Sequence, residues 1–153
     1  MSPLFGRKAG EHRDDSVVAP LATGGYSGET NGAAISALDA EVARLSALSL
    51  EALATEVMTK VMVFTARSDS GPMELFNVAR VLMPPELRDE AESDLRLRDL
   101  VGEAIQVLEQ SRLVRLEAWS QSQYYHVGYI ITRLGSAAVQ HDGVERTLGG
   151  SSL

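Results

Sequence analysis

The 153-residue chain is 44% hydrophobic and 23% charged, with a formal net charge of −7 and no cysteine. That length suits one domain with its own core. The missing thiols exclude disulfides, thiolate zinc sites and cysteine nucleophiles, and the acidic balance excludes a general electrostatic pull toward nucleic acid or anionic lipid.

Residues 1–35 read as a disordered tail. Gly24, Gly25, Gly28 and Gly32, with Ser27, Thr30 and Asn31, leave few large apolar side chains to offset the entropy of ordering. The first ten residues place a short apolar patch before the charges, the reverse of a secretory signal. No run approaches the ~20 apolar residues of a membrane span. The expected location is the cytoplasm, without membrane contact. Two lysines against twelve arginines read as the codon bias of a GC-rich bacterial genome.

The domain is expected over 36–141. Ser36 and Asp39 fit a capping box, which predicts a first helix starting near Ser36. Leu38, Val42, Leu45 and Leu48 form its narrow apolar stripe. Such a stripe serves equally as a face packed on its own domain or as the seam of a homodimer. Ser49 then caps a second helix over 50–67. Leu50, Leu53, Ala54, Val57, Val61 and Phe64, widened by Met58, Met62 and Val63, make it apolar over more than half its circumference and therefore central.

Gly71-Pro72 opens a short helix over 73–83, with proline where its missing N–H costs nothing and Glu74 in the first turn. Pro84-Pro85 ends it. The acidic run 85–94 reads as a solvated connector or short helix; a calcium loop would need alternating acids around a central glycine. From Asp94 to Arg112 the helical period returns, with Leu97, Leu100, Val101, Ala104, Ile105 and Leu108 on one face. Residues 113–119 alternate as a strand, 120–123 form a polar turn, and 124–132 return as the partner strand. Thr132 caps a last helix whose Gly135 allows close packing, and 142–153 read as a frayed tail. The fold class is mainly α with a small β-hairpin.

The helix end bearing Leu108, Glu109, Leu113 and Val114, followed by the hairpin and then Tyr129, Thr132 and Gly135, resembles the winged helix-turn-helix family of bacterial transcriptional regulators. The resemblance spans about Leu50 to His141. It implies a dimeric, sequence-specific regulator that binds double-stranded DNA, with the Asp94–Arg112 helix in a major groove. Its readers would be Arg96, Arg98, Gln106, Arg112, Arg115 and Arg133, arginine suiting guanine and glutamine suiting adenine. Two departures stand out. The connector is longer than a tight helix-turn-helix turn and acidic, and the wing tip carries no Lys or Arg. It offers Trp119, Tyr124 and Tyr125 instead, side chains that stack on bases, cover a core or enter a protein interface. The alternative is therefore an acidic winged-helix interaction module that does not bind DNA.

Catalysis has no support. His12, His126 and His141 lie far apart, no Gly-x-Ser-x-Gly elbow occurs, and no spacing suits a metal pair. No enzyme activity, cofactor or metal is expected.

Overall fold

The computed structural model describes residues 28–67 and 70–150, with side chains described from residue 37 onward. Helix α1 spans Gly28–Ser46, and α2 spans Leu50–Lys60 with a 3-10 segment, Met62–Ala66, after it. Helix α3 covers Leu75–Leu82. A 3-10 turn at Pro85–Leu87 runs into the one-turn α4, Arg88–Ala91, and then α5, Leu95–Gln110. Strands β1 (Val114–Gln121) and β2 (Tyr124–Ile131) form an antiparallel hairpin, followed by α6 (Arg133–Gln140) and α7 (Val144–Gly149). The chain is thus mostly helical with one two-stranded hairpin.

Helices α2 and α5 cross at the centre. Leu53, Ala54, Val57 and Met58 of α2 meet Leu97, Val101, Ala104, Ile105 and Leu108 of α5, all buried. This is where the apolar periods predict the core, and full burial of each large side chain contributes about 1.5–3 kcal/mol. Leu38 and Val42 are almost fully buried and Leu45 completely so, while Leu48 packs against the same core from its edge. The α1 stripe therefore faces its own domain, the first of the two uses its sequence allows.

Five boundaries differ from the sequence reading, among them the third helix, which opens at Leu75 after an extended Met73 and not directly after Pro72. Helix α1 begins at Gly28, so Ser36 lies inside it and is no N-cap; only residues 1–27 of the expected tail lie outside the described residues. Helix α2 stops at Lys60 because Val61 leaves helical geometry (φ −121°, ψ −59°). The chain continues as the tighter 3-10 segment. The gain is a tie to the hairpin. The buried Thr65 hydroxyl donates to the Met62 carbonyl (2.7 Å) and accepts the Ile131 N–H (2.9 Å). The hairpin turn is two residues rather than four, with Ser122 at φ 60°, the positive φ that short hairpin loops require. Finally, the carboxyl-terminal segment is not frayed through 142–150. Val144 and Leu148 bury α7 against α2, and the domain extends to Gly149.

Asp94 caps α5 by accepting the Leu97 N–H at 3.0 Å. The far end closes with the Arg112 N–H on the Glu109 carbonyl (2.9 Å) and the Leu113 N–H on the Leu108 carbonyl (2.8 Å). This is a Schellman closure, with Arg112 at φ 60° in the position that favours glycine. At the hairpin base the Thr132 hydroxyl donates to the Arg112 carbonyl (2.7 Å) and accepts the Gly135 N–H (3.0 Å). Gly135 is obligatory there. An added Cβ would collide with the Leu113 carbonyl oxygen and Met58 Cε. Gly128 plays the same part against Met73, whose backbone pairs with Tyr129 through two 2.9 Å hydrogen bonds. Met73 thus adds a one-residue bridge beside β2.

Among the described residues no helix is long and apolar enough to cross a membrane.

Candidate interaction surfaces on the long helix and the hairpin

Helix α5 fixes the spatial order of the expected readers. Its sixteen residues span about 24 Å at 1.5 Å per residue, so Arg96 and Arg112 stand at opposite ends. Arg96, Asp99, Glu103, Gln106 and Gln110 follow one another at helical spacing and are all exposed. That stripe carries one arginine and two carboxylates, with the exposed Glu109 beside it.

The arginine is occupied. Arg96 Nη2 contacts Asp94 Oδ2 and Asp39 Oδ1, each at 2.7 Å, and its Nε donates to Asp94 Oδ1 at 3.3 Å. These hydrogen bonds raise the Arg96 guanidinium above its ordinary value, Asp94 first and Asp39 second. They also hold the Asp94 carboxyl below the usual carboxylate range, Arg96 being the larger cause and the Leu97 N–H helping, against the opposing effect of burial. Asp39 comes from α1, so the first helix lays a carboxylate across the start of α5. Val42, Ser46, Leu100 and Glu103 line the groove between the two helices. A second inter-helix cluster anchors α1. Arg44 bridges Glu41 (2.7 Å) and Glu56 of α2 (2.6 Å), and Glu56 is lowered chiefly by Arg44.

Arg98 is half-buried and donates to the Glu92 carbonyl at 3.3 Å. Gln106 is exposed in a shallow groove with Leu75, Arg98 and Glu103. The connector places Leu87 and Ala91 in the core and leaves Glu86, Asp89, Glu90 and Glu92 exposed. It is a short helix whose carboxylates face solvent beside Arg98.

The remaining arginines gather elsewhere. Arg115 and Arg133 line one cleft with Ile131 and Thr132, next to the exposed Arg112. Arg115 pairs with Glu117 at 2.9 Å. The structure thus divides the six expected readers into two sets, Arg96, Arg98 and Gln106 along α5 and Arg112, Arg115 and Arg133 at the hairpin base.

The hairpin tip has its own order. Trp119 stacks on His126 with ring centroids 5.3 Å apart, and His126 Nδ1 donates to Glu74 Oε1 at 2.8 Å. Glu74 precedes α3 but makes no capping bond with its side chain; it anchors the hairpin instead. Trp119 is therefore partly covered, whereas Tyr124 and Tyr125 are 73% and 86% exposed. On one sheet face Leu116 (49%) and Val127 (51%) are also open to solvent. Burial, with Glu109 adding to it, pushes the Tyr129 phenol up.

Sequence reasoning missed the Asp39–Arg96, Glu74–His126 and Thr65–Ile131 ties. Each joins residues more than fifty positions apart, and no local spacing signals such a partner. Among the described residues no group of three His, Asp or Glu side chains is placed to hold a metal ion. No protein-family model matches the chain, and no curated protein or solved structure aligns with it significantly.

Proposed function

We propose that this chain is a winged-helix protein-interaction module that presents an uncharged aromatic wing to a protein partner and does not read DNA through α5. The order α2, Met73 bridge, α3, α5, β1, β2 supports the winged-helix reading. The observation that carries the functional reading is the double occupation of Arg96 by Asp94 and Asp39 at 2.7 Å. A groove-reading helix needs free cations against phosphate and free donors for base edges. Here the cation at the helix start is neutralised twice, and Asp99 and Glu103 follow it on the exposed stripe. Tyr124 and Tyr125, by contrast, offer the rigid, amphipathic area that protein interfaces favour.

The test is co-purification of the tagged full-length chain from its own cells after nuclease treatment. The expected result is a protein partner that survives the nuclease and is lost on Tyr124→Ala with Tyr125→Ala, at an unchanged melting temperature. Co-purifying nucleic acid that disappears on Arg96→Ala with Arg98→Ala would overturn the reading.

One observation favours a second reading, DNA binding by the wing base. Arg115 and Arg133 share a cleft beside Arg112. In that case phosphate contact would run through those three residues, with the α5 stripe turned away.

A further inference from the structure

The hairpin has one edge covered and one edge free. Tyr129 turns its N–H and carbonyl toward Met73, so both point away from β1. Leu116 lies opposite Tyr129 in the register. In an antiparallel ladder, opposed residues either exchange both hydrogen bonds or exchange none. The Leu116–Tyr129 pair exchanges none, and the Leu116 N–H and carbonyl point outward from the β1 edge. Ile131 gives the same answer independently, since its N–H goes to Thr65 Oγ1 and it lies opposite Val114. With the two-residue period of a strand, Leu116, Ala118 and Ser120 direct backbone groups outward at exposed positions, while Val114 is covered where the strand enters the core. Nothing among the described residues pairs with them, because β1 is the edge of a two-stranded sheet.

An eight-residue edge without proline or lysine is a template for another strand. Its side chains specify which one. We propose that β1 pairs antiparallel with β1 of a second copy of this chain, about a two-fold axis at Leu116, to make a four-stranded sheet. In that register Arg115 lies opposite Glu117 of the second copy, and Glu117 opposite its Arg115, so the pair each chain makes within itself at 2.9 Å extends into a four-charge network across the axis. Shifting the axis to Arg115 opposes two arginines, and shifting it to Glu117 opposes two glutamates. Of these registers only the Leu116-centred one sets opposite charges against each other. It also matches the backbone. The two Leu116 residues exchange both of their outward hydrogen bonds. The Arg115–Glu117 pairs then fall at the non-hydrogen-bonded positions, where side chains approach most closely. On the other face the two half-exposed Leu116 side chains cover each other. The α1 stripe is buried within the domain, whereas the β1 edge is a self-complementary surface left open among the described residues. The inference is independent of the wing-tip reading, which involves Tyr124 and Tyr125 rather than the β1 edge.

The test is sedimentation equilibrium of the full-length chain over a range of concentrations. Wild type is expected to be a dimer. Arg115→Glu and Glu117→Arg each place like charges across the axis, and each alone should weaken self-association by about tenfold or more, with the folded spectrum retained at these two solvent-accessible positions. Mixed in equal amounts, the two variants should form a heterodimer, because the mixture restores opposite charges between chains and not within either one. Hydrogen exchange gives a second readout, in which the Leu116 amide is protected in wild type and exchanges rapidly in either variant alone. A wild type that stays monomeric throughout overturns the proposal. So does a dimer indifferent to both substitutions, or a mixture that fails to associate.

Discussion

Arg112 holds a backbone conformation that costs an L-residue about 1–2 kcal/mol, at a helix terminus where glycine is the usual solution. Its φ of 60° is imposed by the Schellman closure on Glu109 and Leu108. Arg112→Gly should therefore raise stability by about 1 kcal/mol in a chemical denaturation. Gly135 is the opposite case. Alanine there has nowhere to go between the Leu113 carbonyl and Met58, and the substitution should cost about 3 kcal/mol in the same assay. Thr65→Val keeps the shape but leaves the Ile131 N–H without its acceptor, which should cost about 1–3 kcal/mol. The sequence marks Gly135 as a site of close packing because it follows the Thr132 cap within one turn. It gives no sign of Thr65. A threonine in an apolar run looks like any β-branched core residue until the strand that needs its hydroxyl arrives sixty-six positions later.

The helices and the hairpin follow the hydrophobic periods closely. Leu97, Val101, Ala104, Ile105 and Leu108 are buried on one side of α5, and Val114 and Ile131 root the hairpin in the core. The ends of elements are less readable. Ser36 and Asp39 match a capping box, yet α1 runs on through them, and Asp39 is used by Arg96. The connector's Leu87 and Ala91 are too sparse among acids to predict burial, and α7 is held by only two apolar anchors, Val144 and Leu148. Two arginine-paired carboxylates set an acid limb for stability. Asp94 and Glu56 are both lowered in the folded chain, each chiefly by an arginine hydrogen bond. A lowered carboxylate contributes stability above its unfolded value and loses it as pH falls through the folded one. Stability should therefore begin to drop below the ordinary values of 4.5 for Glu56 and 3.8 for Asp94, and keep dropping at lower pH. Urea midpoints measured down the pH scale check this. Asp94→Asn, which still caps a helix but cannot ionise, should flatten the limb by lowering neutral-pH stability toward the acid value.

Over the whole molecule, charge is sorted by place. Carboxylates occupy the exposed side of the connector and the α5 stripe, while Arg112, Arg115 and Arg133 stand at the hairpin base. The sequence carries the net charge of −7 and the missing cations of the wing tip. It cannot carry the pairing of Arg96 with a helix fifty-seven residues upstream, which sets carboxylates of two segments on the one arginine at the start of α5. The most direct measurement is titration of the purified full-length chain into mixed duplex DNA fragments, followed by fluorescence anisotropy from low to physiological salt. No saturable binding by α5 is expected even at the lowest salt, and no change on Arg96→Ala with Arg98→Ala. Saturable binding that falls steeply with salt, and that this double substitution abolishes, would contradict this expectation.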